Sequence, residues 1–331
     1  MARISVVVPT CNKKDMVTEA IDSVFGQSFR DFELIIVDDG STDGTPVQIF
    51  STFGAQPQAI EELSRMHPTA VRPFSHPFLH DGIPVWYHYY PNRGLAAARN
   101  RGIRCSRGAY VAFLEAEDLW DGGHLLSHMR FHEGCHEAAV SHSAVDHVKE
   151  RGRPRKARKD APLSGWIFDR ALEASPVRIS AAMAHKLCFQ ECGVFDENLP
   201  ACEDYDLWLR MSAHFPFYHV EGPLVRQRSA RPQGARTWSW DRYRVYALEK
   251  AFQGGRLNPE QRLMVASEIV RKCEHLVEGF THLKTEERAS FYERKRKRFV
   301  LEVRKLRASQ SGTPLVGQGA EPVAEECIVP A

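Results

Sequence analysis

The stretch FELIIVDDGSTDGT, residues 32–45, runs from apolar residues into a cluster of short polar ones. Apart from Glu33, its first six residues are apolar, which is typical of a strand buried on both faces of a sheet. The Asp, Gly, Ser and Thr residues that follow are turn formers. The stretch therefore predicts a buried strand that opens into an acidic turn.

Similar strand-like runs recur along the first half of the chain, and helix-like segments separate them. The predicted strands are ISVVV at 4–8, FELIIV at 32–37, VWYHYY at 85–90 and YVAFL at 110–114. The predicted helices lie at 16–27, near 47–53 and at 95–103. This alternation predicts an α/β fold with a mostly parallel sheet and helices on both faces. Residues 54–83 are interpreted as a loop with some helix.

Composition narrows the class of protein. The 331 residues suggest about two domains, and the net charge of +2 does not indicate general binding of nucleic acid. No apolar run approaches the ~20 residues of a membrane span, and the N-terminus does not resemble a signal peptide. The eight cysteines form no CxxC pair, so we expect free thiols and a cytoplasmic location.

Changes in composition suggest the domain boundaries. We expect one α/β domain over residues 1–228, a helical appendage over 229–307 and a disordered tail over 308–331. The basic segment 146–164 is interpreted as an exposed loop, with a substrate-facing role as the alternative. The stretch ERKRKRF at 293–299 would allow peripheral contact with a membrane surface.

A polar cluster follows each predicted strand. The clusters are PTCN at 9–12, DDGSTDG at 38–44, PNRGLAAARN at 91–100 and EAED at 115–118. Because ligands bind at the carboxyl ends of strands in such sheets, we expect these clusters to meet around one site. Neighbouring acidic clusters repel each other unless hydrogen-bond donors, cations or a divalent metal balance their charge.

Together these motifs resemble the family 2 glycosyltransferases, which have the GT-A fold. The resemblance covers roughly residues 3–228. The matching motifs are ISVVVPTCN at 4–12, FELIIVDDGSTDGT at 32–45, NRGLAAARNRGI at 92–103, GAYVAFLEAEDLW at 108–120, GVFDENL at 193–199 and ACEDYDLWLRM at 201–211. The resemblance implies a Rossmann-like GT-A domain that moves a sugar, with inversion, from a nucleotide-diphosphate sugar to an acceptor hydroxyl. It favours a UDP-sugar and leaves the acceptor open.

The resemblance also implies which residues bind the donor. Thr10 and Asp39 should contact the nucleotide base and ribose, and Arg99 should lie near the diphosphate, where a guanidinium binds oxygens in pairs. For Asp38 and Asp39 the alternative is a turn-forming role, and for Arg99 a solvent-facing charge on a helix. The further candidates for donor binding are Pro9, Asn12, Asp38, Glu115 and Arg228.

The acids of FLEAED stand where the family usually carries a DxD motif that holds a divalent cation. The resemblance therefore implies Mg²⁺ or Mn²⁺ as a cofactor, with Glu117 and Asp118 as ligands, or Glu115 in place of Asp118. The alternative is a weakened metal site with solvated acids. The family often has a further histidine ligand, but GPLVRQRSARP at 222–232 contains no histidine. Its arginines, Arg226, Arg228 and Arg231, could neutralise the leaving diphosphate directly, or be surface charges.

The pair Glu203-Asp204 matches the ED motif of the family, which opens a helix over 205–212. By resemblance, Asp204 is the catalytic base that takes the proton of the acceptor hydroxyl, with Glu203 as its acidic neighbour. The alternative is an acidic first helical turn that favours the helix dipole.

Two other patterns carry weaker signals. Trp120, Trp166 and Trp208 could stack on sugar rings, although tryptophan is more often part of a core. His124, His128, His132 and His136 recur every fourth residue, and HEGCH at 132–136 fits a zinc pattern. A glycine inside that segment weakens a helix, and no third ligand is evident nearby.

Two rival functions follow from these observations. The first is a non-catalytic or metal-independent protein that binds sugar nucleotides, suggested by the Glu-Ala-Glu sequence and the missing histidine. The second is a nucleotidyltransferase that makes the sugar nucleotide. Such enzymes carry a glycine-rich loop after the first strand, and PTCNKKD at 9–15 lacks that glycine pattern.

Overall fold

The computed structural model describes residues 2–54, 73–135, 137, 139–147, 163–228 and 237–310. The predictions of a basic loop at 146–164 and of a disordered tail at 308–331 fall largely outside these residues. The chain divides into two compact units. The first contains the chain up to Trp166, Val177–Glu197 and Phe215–Gln233, and the second contains Ile167–Pro176, Asn198–His214 and the chain from residue 234.

This division differs from the boundaries that the sequence suggested. Residues 167–176 and 198–214 were assigned to the α/β domain, but they group with the C-terminal helices. The reason is a shared apolar core, in which Phe168, Tyr205 and Leu209 pack with residues such as Ile269 and Phe299.

Within the described residues, the first unit is built on one mixed sheet of nine strands. The strands are β1 (Ile4–Thr10), β2 (Phe32–Asp39), β3 (Phe74–His80), β4 (Ile83–Tyr90), β5 (Tyr110–Phe113), β6 (Asp118–Trp120), β7 (Val140–His147), β8 (Ala182–His185) and β9 (Phe217–Gln227). Their order is β3-β4-β2-β1-β5-β8-β7-β9-β6. Strands β4, β2, β1 and β5 run parallel, as do β7 and β9, and the other neighbours are antiparallel.

Helices cover both faces of the parallel strands. In the first unit they are α1 (Lys14–Phe25), α2 (Thr45–Phe53), α3 (Leu95–Cys105), α4 (His124–Gly134) and α6 (Lys186–Cys192). Because side chains alternate along a strand, Val6 and Val8 of β1 pack in one core with Ile21 of α1. Val7 points the other way, against Gly102 of α3. The predicted fold, with helices on both faces of the sheet, is confirmed.

Strand β3 was missed, and the interpretation of residues 74–80 as part of an irregular loop is wrong. This strand forms one edge of the sheet and pairs antiparallel with β4. Its side chains alternate between exposed and half-buried, so no apolar run marks it. Pro77 is tolerated because an edge strand has no partner on its outer side. Residues 55–72 lie outside the described part of the chain.

The second unit is helical, which confirms the predicted C-terminal helical region. Its helices are α5 (Phe168–Glu173), α7 (Glu203–Ser212), α8 (Asp241–Gln253), α9 (Pro259–His282) and α10 (Glu286–Gln310). Helix α9 begins with a capping box between Asn258 and Gln261. Aromatic pairs join the helices, with ring centroids 5.4 Å apart for Phe252 and Phe299.

None of the described helices combines the length and the apolar composition that crossing a membrane requires. All seven cysteines within the described ranges are free thiols, as expected, while Cys327 lies beyond them.

Candidate active site

A cavity of about 340 Å³ lies at the carboxyl ends of β1, β2 and β5 in the first unit. It collects side chains that are far apart in the sequence. Its lining residues are Pro9, Thr10, Cys11, Lys13, Asp39, Asn92, Gly94, Leu95, Ala98, Glu115, Ala116 and Glu117. Five of the predicted site residues are therefore together here: Pro9, Thr10, Asp39, Glu115 and Glu117.

Thr10 at the end of β1 and Asp39 at the end of β2 both contribute to the lining. Asp39 accepts hydrogen bonds from the backbone N–H groups of Arg93 and Gly94, each at 2.8 Å. Burial raises the pKa of this carboxyl, although the two hydrogen bonds oppose the shift. Thr10 Oγ1 is buried and makes no hydrogen bond within the described residues.

Asp38 does not line the cavity, contrary to the prediction that it binds the donor directly. Its side chain is fully buried and accepts from the Ser41 backbone N–H at 2.7 Å and from the Tyr87 hydroxyl at 2.8 Å. Burial raises the pKa of Asp38 to about 6. Strand alternation explains the difference, because neighbouring residues point to opposite sides of β2. Asp38 therefore shapes the turn that positions Asp39.

Arg99 lies behind Glu115 rather than in the cavity lining. Its Nε and Nη2 atoms donate to one carboxylate oxygen of Glu115, at 3.1 Å and 2.7 Å. The Arg99 side chain is 4% exposed and that of Glu115 is 24% exposed. The predicted alternative of a solvent-facing charge is excluded by this burial. The pair holds Glu115 at the edge of the cavity with its charge largely balanced.

Glu117 is also paired with a cation of the chain. Its carboxylate forms an ion pair with Lys13, a residue that the sequence did not single out. Arg228 donates from Nε to the backbone oxygen of Glu117 at 2.7 Å, while its other nitrogens bind Glu19 and the Met16 backbone oxygen. Arg228 therefore holds the Glu117 backbone in place from a position outside the cavity lining.

Asp118 is enclosed, and its side chain does not reach the cavity lining. One carboxylate oxygen accepts from Ser180 Oγ at 2.6 Å, and the other is buried without a hydrogen bond in the described residues. Burial raises the pKa of Asp118 to about 6. Asn12, another predicted donor-binding residue, is exposed and accepts from the Thr42 backbone N–H at 2.7 Å. It joins the loops after β1 and β2.

These acids do not fit a resident divalent cation as they are arranged. Glu115 and Glu117 are engaged by Arg99 and Lys13, and Asp118 is 3% exposed. A hard cation requires several converging oxygen ligands. Within the described residues, no three His, Cys, Asp or Glu side chains are placed to hold a metal ion. The described histidines of α4 therefore form no such metal-binding group either. His136 lies outside the described residues.

Glu203 and Asp204 belong to the second unit, where they open α7 as predicted. Asp204 accepts from Ser175 Oγ at 2.9 Å and from the Tyr205 backbone N–H at 2.8 Å. Cys202, just before the pair, has a φ of 62°, a left-handed conformation that is unusual for cysteine. Both acids are half-buried, so their carboxylates remain partly accessible.

Two family models match the chain. One, described as Glycosyl transferase family 2, covers residues 5–61, and the other, described as Glycosyltransferase like family 2, covers residues 85–246. The chain belongs to glycosyltransferase family 2. The family inferred from the motifs is thereby confirmed, and the two matched ranges include every predicted site residue of this family 2 chain.

Curated relatives of this family 2 chain include uncharacterized glycosyltransferases of Rickettsia bellii, 28% identical over 212 residues, and of Rickettsia felis, 29% identical over 226 residues. These alignments cover 64% and 68% of the chain but only 26% and 33% of the relatives. Another relative is TuaG of Bacillus subtilis, whose name proposes a glycosyltransferase of teichuronic acid biosynthesis. It is 28% identical, over 63% of this chain and 71% of TuaG.

Solved structures share the fold. TarS 1–349 of S. aureus in complex with UDP-GlcNAc superposes with a TM-score of 0.55 at 15% identity, covering 95% of this chain and 93% of TarS 1–349. The mannosyltransferase PcManGT of Pyrobaculum calidifontis, in complex with GDP-Man and Mn²⁺, gives a TM-score of 0.52 at 17% identity, covering 91% and 85%. These likenesses confirm the GT-A type of fold.

Lys13 is the residue of this family 2 site that sequence reasoning missed. A single lysine in a loop belongs to no periodic pattern or motif. The available signal was its position directly after the PTCN turn at 9–12. Two tryptophans proved to be core residues, as the commoner role predicts: Trp120 is 2% exposed and Trp208 is fully buried. Trp166 is 66% exposed and does not line the cavity.

Proposed function

We propose that this chain is an inverting glycosyltransferase that takes a sugar from a nucleotide-diphosphate sugar, with UDP as the nucleotide. The observation that carries the proposal is the strand-end cavity, where Thr10 and Asp39 come from the ends of β1 and β2, and Glu115 and Glu117 come from the turn after β5. A site at this position suits a nucleotide, since backbone turns and carboxylates there can bind a base and a ribose. Membership of family 2 supports the same class of reaction.

Asp39 and Thr10 are the proposed contacts for the nucleoside. Asp39 is held rigidly by the N–H groups of Arg93 and Gly94, and a carboxylate oxygen can still accept a further hydrogen bond. The solved structures of this fold include complexes named for UDP-GlcNAc, UDP and GDP-Man. Uridine and guanosine nucleotides are therefore the first donors to compare.

Asp204 is the proposed catalytic base, with Glu203 beside it. The acceptor hydroxyl gives its proton to the Asp204 carboxylate, and its oxygen forms a bond to C1 of the sugar. The bond from C1 to the phosphate oxygen breaks, and its electron pair leaves with the nucleotide diphosphate. Attack from the face opposite the leaving group inverts the anomeric centre. Ser175 holds the carboxylate in place through its hydrogen bond.

The acceptor is proposed to be the hydroxyl of a saccharide or glycoconjugate, by similarity to TuaG. A cytoplasmic location and peripheral membrane contact through residues 293–299 remain predictions. Mg²⁺ or Mn²⁺, expected from the resemblance, does not suit the arrangement of the acids described above. This observation favours one rival, a metal-independent or non-catalytic protein that binds sugar nucleotides.

A donor screen tests the proposal. The full chain is incubated with UDP-, GDP- and dTDP-sugars, with and without Mn²⁺ and saccharide acceptors, and release of the nucleotide diphosphate is measured. We expect release from UDP-sugars, and a loss of at least ~100-fold in Asp204→Asn with nucleotide binding retained. Asp169→Asn, which changes an exposed acid of the same unit, is the matched control. Binding without any release would support the non-catalytic rival and contradict the enzyme.

A further inference from the structure

Lys13 places an ammonium group in the wall of the proposed donor cavity. It stands between Asn12 and helix α1, where its backbone N–H donates to Thr45 Oγ1 at 3.1 Å. Among the described residues that line the cavity, it is the one cation. Its side chain is 38% exposed, and that of its partner Glu117 is 27% exposed. The pair therefore borders the cavity rather than lying beneath it.

Two arginines close to the Glu-Ala-Glu turn have partners that keep them outside the lining. Arg99 is buried against Glu115, and Arg228 binds the Glu117 backbone oxygen, Glu19 and Met16. A nucleotide diphosphate brings several negative charges, and the lining adds the carboxylates of Asp39, Glu115 and Glu117. A positive group in the lining would offset this negative charge, and among the described lining residues Lys13 supplies one.

We propose that Lys13 binds the diphosphate of the donor and supplies the positive charge that a divalent cation would otherwise supply. The inference rests on the proposed function. When the donor enters, the ammonium leaves Glu117 and turns to the phosphate oxygens on its flexible four-carbon stem. Lysine binds phosphate as a compact point charge. Glu117 is partly exposed, so water can solvate its carboxylate after the pair separates.

The same group assists departure of the diphosphate. As the bond from C1 to the phosphate oxygen breaks, its electron pair stays on the diphosphate, and negative charge grows beside Lys13. An ammonium already placed at that oxygen stabilises this charge without a reorganisation of solvent. Glu117 thus positions Lys13 before the donor binds and competes with the donor for it.

Calorimetric titration of UDP and GDP into the full chain, in EDTA and in MnCl₂, tests the inference. Wild type should bind in EDTA. Lys13→Gln should lose about tenfold or more in affinity for the diphosphate, while the affinity for the free nucleoside is unchanged. Glu117→Gln should bind the diphosphate more tightly in EDTA, because Lys13 loses its competing partner. Lys14→Gln, which alters the exposed neighbouring lysine, is the matched control.

The opposite results are equally specific. Lys13→Gln with wild-type affinity, or with the same loss for the nucleoside, would overturn the inference. Binding that requires Mn²⁺ and disappears in Glu117→Gln would identify Glu117 as a metal ligand. That result would contradict the role of Lys13 and leave the glycosyltransferase proposal intact. If wild type neither binds a nucleotide nor cleaves a donor, both the role of Lys13 and the glycosyltransferase proposal are contradicted. Thermal unfolding by circular dichroism confirms that each variant is folded, and Lys13→Arg should retain most of the affinity.

Discussion

The guanidinium of Arg99 donates two hydrogen bonds to a single carboxylate oxygen of Glu115, at 3.1 Å and 2.7 Å. This pair differs from the neighbouring pair of Lys13 and Glu117 in its exposure to water. The Arg99 side chain is 4% exposed, and the Lys13 side chain is 38% exposed. The two acids of the Glu-Ala-Glu sequence therefore balance different charges: Glu115 pairs with a buried guanidinium, and Glu117 pairs with a partly exposed ammonium.

The first prediction compares these two acids. Glu115→Gln removes a carboxylate that balances a buried guanidinium, so we expect a loss of about 2–3 kcal/mol in the free energy of unfolding. Glu117→Gln removes a partly exposed pair and should cost under ~1 kcal/mol. Urea denaturation at pH 7.5 measures both. Equal losses in the two variants would show that burial does not separate the two pairs.

The second prediction concerns glycines in two helices. A Cβ added at Gly102 of α3 would stand 2.2 Å from Val7 Cγ1, whereas one at Gly134 of α4 would meet nothing within 4 Å. Gly102→Ala should destabilise the protein by about 1–3 kcal/mol, because the core has no room. Gly134→Ala should be neutral or stabilising by up to ~1 kcal/mol.

A double variant checks the cause of the Gly102 effect. Combining Gly102→Ala with Val7→Ala should cost less than the sum of the two single variants, since the new methyl fills the space that the valine leaves. Strict additivity in urea denaturation would argue against the proposed clash.

The third prediction concerns buried histidines. Burial lowers the pKa of His124 to about 3 and the pKa values of His132 and His142 to about 4. For His124 the carbonyl of Leu224 opposes the shift, and His132 and Ser141 share a hydrogen bond of 2.9 Å. The unfolded chain takes up protons near pH 6.5, but the folded chain does so only at lower pH. The contribution of these histidines to stability is therefore complete above about pH 6.5, and it should fall as the pH drops, by ~1.4 kcal/mol per pH unit for each such histidine. The raised pKa values of Asp38 and Asp118 act in the opposite direction, so the comparison with a histidine variant isolates this contribution.

His124→Phe tests this pH dependence. The phenyl ring can keep the stacking of His124 on Trp120, whose ring centroids are 4.2 Å apart. We expect a shallower fall of the urea midpoint between pH 6.5 and pH 4.5 than in wild type. His282→Asn, at an exposed position of the second unit, should leave the slope unchanged. An unaltered slope in His124→Phe would refute the assignment.

The fourth prediction concerns Lys272 in the second unit. This lysine is 1% exposed, and its Nζ lies 3.0 Å from Glu268 and 2.8 Å from the Glu173 backbone oxygen. Lys272→Met should cost about 3 kcal/mol, because buried acceptors lose their cation. Lys305→Met removes an ion pair whose lysine is 60% exposed and should cost under ~0.5 kcal/mol. Thermal or urea unfolding measures both losses. Similar losses of unfolding free energy in the two variants would show that the buried contacts of Lys272 stabilise the protein no more than the exposed pair of Lys305.

Much of the fold is readable in the sequence because the parallel strands are buried on both faces. Runs such as ISVVV and FELIIV can be stable only inside a sheet, and their polar ends mark where a ligand binds. Strand β3 has no such run, since its position at the edge leaves half of its side chains in water. An exposed edge strand with a proline carries too little apolar signal to be told from a loop.

The candidate site also combines features that are readable in the sequence with features that are not. The amino-acid pattern alone predicts the central strands, their ends and the acids that follow them, because apolar periodicity and turn residues act over a few neighbouring positions. The folded chain was needed to show that Asp39 rather than Asp38 lines the cavity, since the pleat of β2 sends the two side chains to opposite sides. It alone brought Lys13 to Glu117, because charges 104 residues apart in the chain become neighbours only when β1 and β5 pair.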